Sequence, residues 1–332
     1  MLANIHEREE KLMISIIITH YKEPWEIVKP MFDSIMNQLG VDFEKDIEII
    51  FVNDGTDFEI PEVYPFTVEN IKMEHGGVSK ARNKGLSLAT GDYVMFCDCD
   101  DRFISSYALH LYKKHMGHFD VIKSPFIEDQ VIDGELKLIR HEKDISFIHG
   151  KLYRKAFLDE NNIRFCDDLT IHEDGFFNVI ANILAQGNIY EMSPAVYLWK
   201  FNDNSVVRRD REMFIYKTYD HLMSCRIAIC NNLKEREMIE HYFPAVSKTV
   251  IDSYYDFQKP EALDPKNKDL IKFAEKEFAR FYKEFREDYN EIGIEDIAQM
   301  MFLCRQNAFI NNMRIEQETL SQFLTRIVKE YL

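Results

Sequence analysis

The sequence predicts an α/β fold over roughly its first two hundred residues and an all-helical module after them, and three observations carry this expectation. Short apolar, β-branched runs alternate with helical stretches; those runs end in turns rich in Asp and Asn; and strand-like texture stops after about Arg208. The first run, Met13-Ile14-Ser15-Ile16-Ile17-Ile18-Thr19, is nearly continuous, which is how a strand buried on both faces of a parallel sheet reads. A helical stretch follows from about Glu23 to Leu39. The second strand, Ile47 to Val52, ends in Asn53-Asp54-Gly55-Thr56-Asp57. Val78 to Ala89 has helical composition with Gly91 as a C-cap candidate, and Asp92 to Cys97 forms a third buried strand running into Asp98-Cys99-Asp100-Asp101. The acidic residues therefore gather at the carboxyl edge of the sheet, where open α/β folds bind ligands.

Residues 121–141 read as a hairpin around Asp133-Gly134. The helical module is expected to contain Met213–Leu233, Glu235–Asp256, Leu270–Tyr289, Ile294–Asn311 and Glu318–Leu332, punctuated by Pro260, Asp264-Pro265 and Gly293. The expected boundary lies near 205–212, giving domains 1–210 and 211–332. Within the module, Phe273, Phe278, Phe281 and Phe285 read as helix core. Leu320, Phe323, Leu324, Ile327, Val328 and Tyr331 form one apolar stripe, to be covered by the preceding helices or by a second subunit or an acceptor.

Composition bounds the function classes. The 332 residues carry 41 basic and 57 acidic side chains, a formal charge of −16, with 46% hydrophobic and 13% aromatic residues, so a sizeable core forms. The acidity argues against general affinity for nucleic acid or anionic membrane, both of which are held by clustered Lys and Arg. It is concentrated in the front part, because residues 206–332 hold 20 basic and 22 acidic groups. No apolar run approaches the roughly 20 residues of a membrane-spanning helix, and the first residues are polar, so the expected location is cytoplasmic, with peripheral attachment to the inner membrane face as a variant. Six cysteines without CxxC pairing or His partners signal neither disulfides nor zinc; Cys97 and Cys99 read as structural.

Three acidic features carry chemistry: Asp54, the D-x-D of Asp98 and Asp100, and His172-Glu173-Asp174. Hard oxygen ligands at a strand end suit Mg²⁺ or Mn²⁺ completed by substrate phosphates. A lone D-x-D reads more often as a solvated turn, and Glu173-Asp174 alone as helix N-terminal carboxylates favoured by the macrodipole.

The order and spacing of several segments resemble family 2 glycosyltransferases of the GT-A fold: Ile16-Ile17-Ile18-Thr19-His20-Tyr21, Val52-Asn53-Asp54-Gly55, Gly76-Gly77-Val78-Ser79-Lys80-Ala81-Arg82-Asn83-Lys84-Gly85, Ala89-Thr90-Gly91-Asp92-Tyr93, Cys97 to Asp101, and His172-Glu173-Asp174. The resemblance covers residues 13–205. It implies a GT-A nucleotide-binding mixed sheet with flanking helices and an inverting, sugar-nucleotide-dependent hexosyl- or N-acetylhexosaminyltransferase using Mn²⁺ or Mg²⁺. Position by position, it implies that Thr19 and Tyr21 line the nucleoside pocket, that Asp54 accepts from the base, and that Gly76 and Gly77 pass close over the nucleoside with Arg82 near the nucleotide. It further implies that Asp98 serves ribose and metal, that Asp100 is a metal ligand and that Asp174 is the catalytic base. Glu23, Lys151, His172, Glu173, Ser205 and Arg208 are further candidates. Arg82 reads alternatively as a surface helix residue, Lys151 and His149 as a solvated loop, and Asn204, Ser205 and Arg208 as a linker rather than a segment closing over the diphosphate. His20 and Lys22 flank Tyr21 where many relatives carry Tyr-Asn.

The expected reaction moves a sugar from a UDP-sugar to a hydroxyl of a cell-surface polymer or glycan, such as teichoic acid, capsule or lipopolysaccharide, or its precursor. The alternatives are a transferase acting on a modified nucleic-acid base, and a non-catalytic nucleotide-binding or assembly protein, with homo-oligomerisation through the C-terminal helices as a further expectation.

Overall fold

The computed structural model describes residues 12–132, 135–201, 213–310 and 318–332. The chain divides into two compact units, one of residues 1–170 and 177–202, the other of 171–176 and 203–332. The expected boundary at 205–212 lies outside the described residues.

In the first unit, β1 (Ile14–His20) is buried at Ile14, Ile16, Ile17 and Ile18, as its β-branched run dictates. Helix α1 (Trp25–Met36) turns Val28, Met31, Phe32 and Ile35 to the core, an i, i+3, i+4, i+7 stripe. It is shorter than Glu23–Leu39 because Pro24 is the N-cap and Asn37 ends it. Then come β2 (Ile47–Asp54), β3 (Val68–Met73), α2 (Val78–Leu88) and β4 (Tyr93–Asp98). Strand β3 carries no sequence signal as a strand, since Val68-Glu69-Asn70-Ile71-Lys72-Met73 is a half-exposed edge without an apolar run. The remaining elements of this unit are β5 (Arg102–Phe103), α3 (Ala108–Lys113), β6 (Val121–Lys123), β7 (Phe126–Ile132), β8 (Glu135–His141), β9 (Lys151–Arg154), α4 (Lys155–Glu160), α5 (Glu173–Leu184), β10 (Ile189–Glu191) and β11 (Tyr197–Trp199). The first turn of α5 groups with the second unit.

The main sheet has the order β10-β6-β9-β4-β1-β2-β3, and a smaller one the order β5-β11-β7-β8. Strands β3, β2, β1 and β4 run parallel, so their carboxyl ends share one edge; β9 runs antiparallel between β4 and β6. The expected hairpin is realised only by β7 and β8; its turn residues 133–134 lie outside the described residues. Val121–Lys123 departs from that expectation: it pairs with β9 in the main sheet, and Pro125, which lacks a ladder N–H, separates it from β7.

Two glycines set close packing. Gly91 is not a C-cap, since Ala89 ends α2; a Cβ there would meet Ser15 Oγ at 2.6 Å, and its N–H donates to Ser15 Oγ at 2.9 Å. Gly85 lets α2 lie on β1, where a Cβ would stand 2.4 Å from Ile17 Cγ2. Gly85→Ala is therefore expected to lower stability by about 1 kcal/mol or more, overpacking of about 1–3 kcal/mol outweighing the gain in helix propensity; urea unfolding measures the difference.

In the second unit, α6 (Phe214–Lys217), α7 (Tyr219–Glu235), α8 (Ile239–Asp256), α9 (Pro260–Leu263), α10 (Lys268–Glu291), α11 (Ile294–Ile310) and α12 (Leu320–Tyr331) follow in order. Phe278, Phe281 and Phe285 are core, whereas Phe273 departs from the expected core at 37% exposure. The α12 stripe is covered by its own chain at Phe323 and Ile327, which are fully buried, the Phe323 ring packing on Tyr254, Phe257 and Phe278, while Leu320, Leu324, Val328 and Tyr331 stay partly exposed. A Thr319–Gln322 capping box starts this helix.

Candidate functional site

The parallel strands deliver the predicted residues of the first unit to one sheet edge. Register places Thr19 of β1 between Val52 of β2 and Asp98 of β4. His20 points into the core instead, 2% exposed, with its ring nitrogens 2.8 Å from Asn53 Oδ1 and 2.9 Å from the Glu23 carbonyl. It thereby fixes the turn that carries Tyr21 and Lys22. Tyr21 is 39% exposed and stacks on His75 at 4.5 Å, and the Lys22 ammonium lies 4.4 Å from the Tyr21 ring centroid. Glu23 accepts from the Tyr21 N–H at 2.8 Å and from the Cys99 thiol at 3.4 Å, joining the first loop to the acidic turn.

Asp54 is buried, and its carboxylate organises the glycine loop. The Gly76 and Gly77 amides donate to it at 2.7 and 2.9 Å, and His75 Nδ1 lies 2.9 Å away. Charge-assisted bonds of this kind hold both backbone amides and carboxylate in one geometry. Gly77 takes φ +90°, a conformation that glycine supplies at no steric cost.

Arg82 is no surface residue: its side chain is 3% exposed, and its guanidinium donates to Asp98 at 2.9 Å and lies over the Phe165 ring at 5.2 Å. Burial opposes ionisation of Asp98, but the Arg82 charge, then His149 and a Thr19 hydrogen bond, hold it below the usual carboxylate range. Asp98 is the last residue of β4, and Asp100 lies half-buried in the turn after it. Helix α2 also grips the segment beyond: Asn83 donates to the Phe165 carbonyl and Asp167, and Ser79 to the Leu169 carbonyl.

Sequence reading missed part of this edge. Asp101 is fully buried and accepts from the Tyr197 hydroxyl and the Lys200 N–H, each at 2.8 Å, with His149 Nδ1 at 3.4 Å. Burial, then the Asp100 and Asp98 charges, push its carboxyl well above the usual range. Ligand atoms of Asp98, Asp101 and His149 lie within 4.8 Å of one another, so the donor set at this strand end fits a hard divalent cation. The readings of Lys151 and His149 as a solvated loop are overturned: they are 1% and 2% exposed. Lys151 is held by Asp144 and the Phe147 carbonyl, and the His149 ring stacks on Trp199 and Tyr197. Burial pushes the Cys97 and Cys99 thiols well up, which suits inert core residues.

In the second unit, His172 takes φ +66° immediately before α5, whose first residues are Glu173 and Asp174. Its carbonyl accepts from Phe176 N–H at 3.2 Å and from the Cys225 thiol at 3.4 Å. Its Nε2 is buried without a hydrogen-bond partner among the described residues. Burial, then the charges of Arg226 and His221, lower its pKa to about 4. Between about pH 4 and 6.5 the unfolded chain therefore binds the proton that the folded chain excludes, so stability is expected to fall as pH drops through this window. His172→Asn, which tolerates positive φ, should flatten that slope in denaturant unfolding run across pH. Ser205 and Arg208 lie outside the described residues.

Residues 15–175 match the model of Glycosyl transferase family 2. The chain is 27% identical over 221 residues to the uncharacterized glycosyltransferase EpsJ of Bacillus subtilis, covering 58% of this chain and 62% of that one. It is 24% identical over 344 residues to the poly(ribitol-phosphate) beta-glucosyltransferase of Bacillus spizizenii, covering 95% and 52%. The chain spans 62%, 35% and 63% of the lengths of three curated glycosyltransferases, EpsJ, GlyA and EpsH. The crystal structure of S. aureus TarS 1-349 shares the fold, with a TM-score of 0.54 at 17% identity over 89% of this chain and 92% of that one. Together with the parallel-edge geometry, the match identifies residues 15–175 as a glycosyl transferase family 2 region, with a GT-A-type sheet followed by a helical C-terminal region.

Proposed function

We propose that the protein is a metal-dependent, inverting glycosyltransferase that moves a hexosyl or N-acetylhexosaminyl group from a UDP-sugar to a hydroxyl of a cell-surface polymer of the teichoic acid kind, or its precursor. The observation that carries this reading is the shared carboxyl edge. There Asp54 closes on the Gly76 and Gly77 amides beneath the exposed Tyr21 ring, and Asp98 stands ionised between Arg82 and Thr19. The names of relatives support the polymer class: one is a poly(ribitol-phosphate) beta-glucosyltransferase and another a minor teichoic acid biosynthesis protein, GgaA. TarS 1-349 has been crystallised with UDP and with UDP-GlcNAc.

In this reading Tyr21 and Asp54 bind and orient the nucleoside, and Gly76 and Gly77 let the backbone approach it closely. Arg82 keeps Asp98 ionised beside the diphosphate. Asp98, with Asp101 and His149 clustered beside it and Asp100 in the same turn, would hold a divalent cation, which when bound would offset the charge developing on the leaving diphosphate. Asp174 takes the proton of the acceptor hydroxyl as the new glycosidic bond forms, since a neutral hydroxyl is a poor nucleophile. A single base with direct attack inverts the anomeric centre, so an α-linked donor gives a β-linked product. The helical unit serves acceptor binding or assembly. A hydrolysis panel across UDP-sugars with Mn²⁺ and no acceptor tests the reading: slow, metal-dependent release of UDP from one or a few donors is expected, and release from none contradicts it.

A further inference from the structure

The helical unit contains a cavity of about 290 Å³ that none of the roles above uses. Its apolar wall is formed by Ile215, Leu222 and Met223. Its polar side brings Arg226 of α7, Lys248 of α8 and Lys259 together around Asp252 and Asp256, three cations against two carboxylates. At this size it is at or below the lower limit of drug-sized sites, too small for a sugar nucleotide and adequate for one small ionic group.

The cations are positioned but not used up. Asp252 receives Lys248 at 2.7 Å and Arg226 at 3.4 Å, and Asp256 receives Lys259 at 2.6 Å. Among the described residues that 3.4 Å contact is the one hydrogen bond of the Arg226 guanidinium, although its side chain is only 29% exposed. A guanidinium has five N–H donors in a planar fork, and a largely buried one left with a single long bond is a site for an oxyanion, which the fork meets bidentately. Arg226 is also within electrostatic reach of His172, the residue preceding Glu173-Asp174. Net charge points the same way. The acidic front part of the chain repels a polyanion, whereas residues 206–332 are nearly neutral, so a phosphate-bearing polymer is best received there.

We propose that this cavity is an anion subsite that takes one phosphodiester of a polyol-phosphate acceptor, with Arg226 as its principal ligand and Lys248 and Lys259 flanking it. The link to an acceptor rests on the transferase reading; the anion site does not. The full chain, without donor, is titrated calorimetrically with a short ribitol-phosphate oligomer, with inorganic phosphate and with ribitol. The oligomer is expected to bind saturably, to bind more weakly as NaCl is raised, and to lose at least about 10-fold in affinity in Arg226→Gln, the scale of a charge-assisted pair. Lys248 is 53% exposed, so Lys248→Gln folds in any case, and a several-fold loss is expected there. Oligomer affinity equal to wild type in both variants overturns the site. Binding of inorganic phosphate without binding of the oligomer, or binding of ribitol equal to that of the oligomer, overturns the phosphodiester assignment. Because no turnover is measured, these outcomes are independent of whether UDP-sugars are hydrolysed.

Discussion

Asp174→Asn is expected to keep donor affinity and to lose at least about 10²-fold in turnover, the low end of what a positioned base supplies. The amide matches the carboxylate in size and cannot accept the proton, so binding and chemistry separate cleanly. Asp174 stands in the first turn of α5. Calorimetric titration of UDP alongside initial transfer rates measures both sides of the expectation. Near-normal turnover would move the base to Glu173 or His172.

The second large effect concerns two neighbouring acids. Asp98→Ala and Asp100→Ala are each expected to cost at least about 10²-fold in turnover, roughly 2.7 kcal/mol of barrier, by removing a hard oxygen beside the diphosphate. Asp98 is the acidic partner of the buried Arg82 guanidinium, so its removal leaves a desolvated cation without that compensation, a loss of about 1–3 kcal/mol after allowance for the 31% exposure of the Asp98 side chain. Urea unfolding of Asp98→Ala with paired rate measurements checks both effects, and wild-type stability would contradict the role given to Arg82.

Much of this arrangement is legible in the sequence, and the reasons are local. The runs at Ile14–Ile18 and Ile47–Val52 are so rich in β-branched residues that they read as strands buried on both faces, and the acids that follow them then stand at a strand edge. The helices of the second unit follow from periodicity, down to the α12 stripe. What was not legible depends on pairs far apart in the chain. Asp101 is held by Tyr197 and Lys200, almost a hundred residues on, and looks in sequence like one more acid in a turn. Nothing in Glu74-His75-Gly76 signals that His75 both meets Asp54 and stacks on Tyr21. Lys151 and His149 read as loop residues because their type favours the surface, and tertiary pairing with Asp144 and ring stacking on Trp199 override that preference. Likewise β3, an edge strand with polar alternation, lacks the run that marks its buried neighbours.

The central claim is that the carboxyl edge is a metal-assisted site for a uridine diphosphate donor, and titration of UDP into the protein with Mn²⁺ and again after chelation tests it most directly. The account predicts saturable binding with Mn²⁺ that weakens at least about 10-fold on chelation and is impaired with Mn²⁺ in both Asp98→Ala and Asp100→Ala. Absence of UDP binding in the presence of Mn²⁺, or binding indifferent to the metal and to both aspartates, would contradict it.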